Sequence, residues 1–216
     1  MSALSRQTTS DQVADEIRRQ IWCGELRAGD RLTQEDLAAA MNVSRIPVRE
    51  ALIVLAGEGA IHMAPHRGAF VEALSEASVA DHYDLFGHVD GFALRRAIER
   101  SSSEDRGALA AEMLGVAEVA DPVVMQRHVI SARRQFHELG GSRRFGAVAR
   151  GMVGLVPGNF FVEVPGSVEV AQRRLPEVGR AVAAGKAEAA VEAYEAMLQE
   201  HSELVRTALR ARGVLQ

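Results

Sequence analysis

The chain has 216 residues, a single cysteine (Cys23) and a net charge of -4 from 25 basic and 29 acidic side chains. Lys186 is the only lysine, so the basic set is otherwise arginine. One cysteine excludes an internal disulfide and a cysteine-based zinc site. No apolar run reaches the ~20 residues of a membrane span, and the slightly acidic balance excludes a lysine-rich coat that holds polyanions by charge alone. The opening residues MSALSRQTTSDQ carry no apolar signal core, which makes the expected location the cytoplasm. Low aromatic content, abundant alanine and long helical spacing make the expected fold mainly α.

The first segment, about residues 8–72, is a string of short elements. Val13, Ile17 and Ile21, spaced by four, put one apolar face on a helix over Ser10–Cys23. Thr33 is placed to cap a helix over Gln34–Met41, with Leu37, Ala38 and Met41 inward. Asn42 and Val43 make a break. Ser44 is the next N-cap, and Glu50–Ala56 carries its helix to a stop at Gly57. Pro47 falls in that helix's first turn, where proline is tolerated. Two β-like pieces follow, Ile61–Met63 and Ala69–Val71, joined by the turn Pro65-His66-Arg67-Gly68 as a hairpin.

Beyond Glu72–Glu76 the spacing predicts helices only, over about 76–100, 104–120, 122–140, 142–155, 167–184 and 187–211. Asp121-Pro122 reads as a start and Gly140-Gly141 and Gly185 as stops. Residues 156–166 read as one irregular connection, and Pro176 is expected to kink or split its helix. The expected architecture is an N-terminal winged helix-turn-helix over residues 1–72. An antiparallel α-helical bundle over 76–212 follows it, for ligand sensing and dimerisation.

In a winged helix-turn-helix the second helix holds the third so that its N-terminal end enters the major groove of DNA. Arg45 and Arg49, four apart, share a face of that third helix. A guanidinium fork can bond N7 and O6 of guanine or clamp a phosphate. Ser44 brings a hydroxyl and free backbone N–H groups to the helix start, a natural phosphate seat. His66 and Arg67 occupy the wing tip, within reach of the minor groove or backbone. Two arginines four apart also suit a solvated face paired with acids such as Glu50. The order of caps, turn and glycine-tipped hairpin favours the reader. Within residues 43–71, Arg45, Arg49 and Arg67 stand against Glu50 and Glu58. A few directed contacts and a modest salt slope are therefore expected.

The run LAAAMNVSRIPVREALIVLAGEGAI, continuing to PHRGAFV, resembles the DNA-binding domain of the GntR family of bacterial transcription regulators. The resemblance covers about residues 8–72. It implies that Arg45 and Arg49 contact operator bases and backbone, and that Ser44 and Gly68 help seat the recognition helix and wing. Thr33, Ile46, Pro47, His66 and Arg67 complete the expected DNA-contacting set. Ile46 departs from the family's usual threonine and can offer only apolar contact, for example to a thymine methyl.

The second segment is similar, more weakly, to the C-terminal effector domain of the FadR-type branch, through AVAAGKAEAAVEAYEAML and FHELGGSRRF. Many members of that branch bind a divalent metal through an aspartate and three histidines, and the metal helps hold a small carboxylate. By this resemblance His137 stands at the first histidine and Arg133 at the aspartate. Leu175 and Met197 stand at the remaining histidines. Phe86 stands where an arginine usually meets the ligand carboxylate, and Asp90 where an acid is usual. A fixed guanidinium charge repels a bound cation, so no metal and no cofactor are expected. A rearranged site built from His137, His201 and either His88 or His128 is the alternative. The expected effector pocket comprises Phe86, Asp90, Arg133, His137, Leu175, Met197 and His201. It suits an apolar effector or an organic acid met by Arg133.

No G-x-S-x-G, H-E-x-x-H or E-x-x-H string occurs, which removes the usual signals for a nucleophile elbow, a helical metal hydrolase and a di-iron site. The stretch from Gly179 to Lys186 fails as a phosphate loop, having the wrong spacing and Ala187 where a hydroxyl should hold magnesium. Cys23, beside Trp22, is expected to be a buried or half-buried structural thiol. No catalytic residue is expected. The chain reads as a homodimeric transcription regulator, a repressor, that binds a near-palindromic double-stranded operator and responds to a small-molecule effector. Two alternatives stand beside it: an architectural DNA-binding protein whose helical domain only dimerises, and a helical-bundle metalloenzyme fused to a helix-turn-helix.

Overall fold

The computed structural model describes residues 8–65, 67–150, 152 and 155–215. The chain divides into two compact units. One comprises Met1–Ser75, Gly154–Gly158 and Leu209–Gln216, the other Glu76–Val153 and Asn159–Ala208.

Helix α1 (Thr9–Trp22) opens on a capping box. Thr8 Oγ1 accepts from the Asp11 N–H at 3.1 Å, and the Asp11 carboxylate accepts from the Thr8 N–H at 2.9 Å, so two of the helix's unpaired donors are satisfied. Strand β1 (Arg31–Leu32) comes next, then α2 (Gln34–Met41), started by Thr33. Helix α2 ends on Asn42, whose φ of +52° is a left-handed conformation that asparagine tolerates. That residue turns the chain into α3 (Arg45–Gly57). Val13, Ala14, Ile17 and Ile21 of α1 pack with Val48, Ala51, Leu52 and Leu55 of α3 to form the core. Arg18 of α1 clamps Glu58 just past α3 with two bonds, of 2.6 and 3.0 Å.

Strands β2 (Ile61–Ala64) and β3 (Gly68–Val71) form the expected hairpin, with Met63 opposite Ala69 and Ala64 opposite Gly68. Strand β1, which the sequence reading lacks, pairs with the other edge of β3, giving the order β1-β3-β2. Cys23 is exposed, contrary to expectation. It is the C-cap of α1, and Trp22, 1% exposed, takes the inward position instead.

The second unit is built from α4 (Glu76–Arg100), α5 (Ser103–Leu114), α6 (Pro122–Gly140), α7 (Arg143–Arg150), α8 (Phe160–Glu163), α9 (Ser167–Ala183) and most of α10 (Ala187–Ala211). Helix α4 packs on α6, and α5 packs on both α6 and α9. Helix α5 stops at Leu114, short of the expected 120, and α7 is shorter than the expected 142–155. Helix α8 interrupts the stretch read as irregular, where Asn159 accepts the Phe161 N–H at 3.0 Å to start its one turn. Pro176 does not split α9. Its ring forfeits one backbone bond, while the burial of Leu175, Val178 and Val182 holds the helix in one piece.

Two glycines let helices approach closely. A Cβ on Gly140 of α6 would fall 1.9 Å from the Ala93 carbonyl oxygen of α4, and one on Gly91 of α4 would fall 2.9 Å from Val191 of α10. Arg96 Nε donates to the Gly140 carbonyl at 3.1 Å, tying the α4–α6 crossing. Among the described residues no helix is long and apolar enough to cross a membrane.

Candidate DNA-reading surface and buried polar cluster

Helix α3 is anchored by its fourth residue, Val48, which is fully buried, while Arg45, Ile46 and Arg49 point outward. Ile46 is 70% exposed, a costly posture for a branched apolar side chain in water. Ser44 holds the N-cap position in an extended conformation, but its side chain makes no capping bond. Arg45 Nη2 donates to Glu35 Oε1 at 2.9 Å. Thr33 is committed to the start of α2: its Oγ1 accepts from the Asp36 N–H at 3.1 Å and donates to Asp36 Oδ2 at 2.5 Å. Pro47 is half-buried.

At the wing, the Arg67 N–H donates to the Ala64 carbonyl at 3.1 Å, and its exposed guanidinium lies 6.0 Å from the centre of the Phe70 ring. Gly68 follows with φ +101°, a conformation that favours glycine. His66 lies outside the described residues. Two open grooves flank the start of α3. One, of about 470 Å³, runs between Ser44, Pro47 and Glu50 and the start of α1. The other, of about 510 Å³, is lined by Arg31, Thr33, Glu35, Arg45, Met63 and Gly68. The start of α3 therefore presents a guanidinium fork, an apolar branched group and a free hydroxyl beside a wing. Those groups suit base edges and phosphates.

In the second unit Asp90 of α4 is 0% exposed and its carboxylate is fully engaged. Arg133 of α6 grips it with two bonds, Nε to Oδ2 at 2.7 Å and Nη2 to Oδ1 at 3.1 Å. His137 Nε2 lies 2.7 Å from Oδ1, and the Tyr194 hydroxyl of α10 donates to Oδ2 at 2.8 Å. Arg133 also donates to the Ala149 carbonyl at 3.3 Å, and its guanidinium stacks 4.6 Å from the Phe86 ring centre. Burial pushes the Asp90 carboxyl up, but the hydrogen bonds from His137 and Arg133 and the arginine's charge outweigh it, leaving the group below its ordinary value. Burial, and then the charge of Asp90, push the Tyr194 phenol well up.

The structure thus brings Phe86, Asp90, Arg133 and His137 together. Leu175 and Met197 are buried without joining the cluster's hydrogen bonds. His201 belongs to another set: its Nε2 lies 3.3 Å from the Ser167 carbonyl, and its ring meets Phe160 and Phe161 edge-on. Burial lowers its titration to about 4, so the imidazole is neutral near pH 7.

The sequence pattern of the bacterial regulatory proteins of the gntR family matches residues 9–71. An uncharacterised HTH-type transcriptional regulator of Mycobacterium tuberculosis (strain CDC 1551 / Oshkosh) is 30% identical over 189 residues, covering 82% of this chain and 78% of that one. The chain belongs to the GntR family of bacterial regulators. The gluconate operon transcriptional repressor of Bacillus subtilis (strain 168) is 38% identical over 96 residues, 44% of this chain and 39% of that protein. Among solved structures, that of Lar, which controls expression of the Listeria monocytogenes agr system, has a TM-score of 0.61 at 19% identity. It covers 94% of this chain and 99% of that one, a likeness of fold. The relatives are named as transcriptional regulators.

Within this GntR chain the buried cluster does not suit a divalent cation. Both oxygens of Asp90 are committed to the Arg133 fork, and the guanidinium already supplies the positive charge that a metal would bring. Among the described residues no three His, Cys, Asp or Glu side chains converge to hold an ion. The histidines of the rearranged alternative are dispersed: His88 bonds the Asp84 carbonyl at 2.7 Å and His128 the Glu112 carboxylate at 2.9 Å. Two participants escaped the sequence reading. Tyr194 was available as a signal, since a phenol on an apolar stripe needs a partner for its hydroxyl. Glu35 gave no signal, because its partner Arg45 lies ten residues away on a different helix.

Proposed function

We propose that this GntR regulator is a homodimeric, cytoplasmic repressor of the FadR-type branch that reads a near-palindromic operator. Residues 1–72 serve as the DNA-reading domain and residues 76–212 as the sensing and dimerisation domain. A two-fold protein reads a two-fold site, so each protomer places one α3 in a major groove. Arg45 and Arg49 address base edges or phosphates, Ile46 a thymine methyl, Ser44 a phosphate, and Arg67 the minor groove or backbone. The helical domain takes up a small-molecule effector, apolar or an organic acid, that binds one conformation better than another. It works without a resident metal.

The observation that carries this reading is the start of α3, where Val48 locks the helix down while Ser44, Arg45, Ile46 and Arg49 stand exposed beside the wing. The test is selection of bound sequences from random duplexes with the wild type and with Arg49→Ala. A near-palindromic site should emerge for the wild type. Arg49→Ala should weaken its binding by about 1–3 kcal/mol and relax one position, if the fork reads a base. Full affinity and unchanged specificity in the variant would overturn the assignment. One observation favours the ligand-independent architectural reading: Asp90, Arg133, His137 and Tyr194 satisfy one another without any ligand. Under that reading no small carboxylate or fatty acid shifts operator binding.

A further inference from the structure

We infer that Glu35 is a specificity-determining residue of the DNA-reading surface, acting through its pairing with Arg45; the inference rests on the reading that α3 enters the major groove. Glu35 lies in the first turn of α2, outside the core, with its side chain 75% exposed, and Arg45 opposite it is 65% exposed. Both line the groove between α2, the start of α3 and the wing, along with Arg31, Met63 and Gly68. The neighbouring acid, Asp36, is occupied by the Thr33 cap, and Glu50 lines the opposite groove. Glu35 is the acid that faces a reading arginine.

An exposed ion pair contributes little to stability, so the pair is a poor device for holding the fold. Its consequences lie at the interface. In the free protein the carboxylate cancels part of the charge with which Arg45 attracts any phosphate, which weakens indiscriminate binding. It engages Nη2 alone, leaving the rest of the fork free for a guanine edge. Docking then takes Glu35 out of water. A carboxylate in the major groove can accept from the N4 amino group of cytosine, so a G·C pair satisfies Arg45 and Glu35 together. A base pair without that donor leaves the carboxylate desolvated and unpaired, and an unmet acceptor is more costly than a missing contact. Glu35 thus lowers affinity for wrong sites more than for right ones.

The test is Glu35→Gln in the full chain, measured on the selected operator and on a random duplex across salt concentrations. Glutamine keeps the length and removes the charge. The expected result is a steeper salt dependence on random DNA, by about one unit per protomer, because one acid fewer opposes the phosphates. Affinity for random DNA should rise, and the ratio of operator to random affinity should fall about fivefold or more. A contribution of Glu35 to α2 alone, through the helix dipole, would leave salt slope and ratio unmoved, and that outcome overturns the inference. So does an equal loss of affinity for both duplexes. If the wild type selects no sequence at all, the reading of α3 falls and the role of Glu35 falls with it.

Discussion

Replacing Arg133 with alanine removes two of the four hydrogen bonds that hold the Asp90 carboxylate, and the positive charge beside it. Asp90 is fully buried, and a buried ion deprived of its partner costs about 3–5 kcal/mol. The carboxyl can escape part of that cost by taking a proton, so the loss depends on pH. In the wild type, burial pushes the group up and its partners bring it below the ordinary 3.8. Its contribution is therefore complete above about pH 4 and is lost as pH falls through the lower folded value. In Arg133→Ala the fork and its charge are gone while burial and the bonds from His137 and Tyr194 remain, so the folded carboxyl titrates higher than in the wild type. Relative to the wild type, stability is then lost as pH rises from the wild-type folded value, because the folded variant holds the proton longer. The difference between variant and wild type should be smallest below the wild-type folded value, be present in part at pH 4, and reach about 3–5 kcal/mol by pH 7. Denaturant titrations of both proteins at several pH values measure it, and groups common to both cancel in the difference. Replacing both residues with apolar ones, Asp90→Leu with Arg133→Met, should recover much of the loss. A penalty below about 1 kcal/mol at pH 7, the size of a surface pair, or one that does not grow with pH, would refute the reasoning.

The other predictions concern packing and buried charge in the same unit. His201 stays neutral in the fold down to about 4, against an ordinary 6.5, so the unfolded chain takes its proton first. Stability should fall by about 3 kcal/mol between pH 6.5 and 4 through this residue. His201→Gln should flatten that part of the stability curve; parallel curves would contradict a buried neutral imidazole. Gly140→Ala forces a methyl against the Ala93 carbonyl, so α4 and α6 must move apart. A cost of about 1–3 kcal/mol, or a melting temperature lower by roughly 5–10 °C, is expected in a thermal melt, and an unchanged melt would deny the close approach.

The first unit is legible because its signals are local. Thr33 and Ser44 mark helix starts, Asn42 the left-handed break, and Pro65 to Gly68 the hairpin turn, each within a few residues of what it controls. Strand β1 escaped because two residues cannot display alternation, and α8 because a single turn has no period. Cys23 was misplaced for a similar reason: at a helix end one residue of rotation separates the buried Trp22 from an exposed thiol. In the second unit the resemblance to the FadR-type effector domain assigned Asp90, Arg133 and His137 to one site. It did not show that Arg133 grips Asp90, 43 residues away. That pairing depends on how α4 and α6 slide against each other, which the backbone contact at Gly140 fixes, and periodicity carries no information about such a register.

A sum of charges counts every arginine alike, but the fold gives them opposite uses. Arg18 and Arg133 turn their forks inward onto Glu58 and Asp90, where a guanidinium keeps its charge in surroundings that would neutralise a buried ammonium. Those charges are unavailable to DNA. Arg45, Arg49 and Arg67 stand exposed around α3 and the wing, and Glu35 tempers Arg45. The net charge of -4 therefore does not measure affinity for a polyanion. What counts is the direction in which a few forks point, and an acid placed beside one of them reduces general attraction while leaving the hydrogen-bonding pattern that a sequence must match.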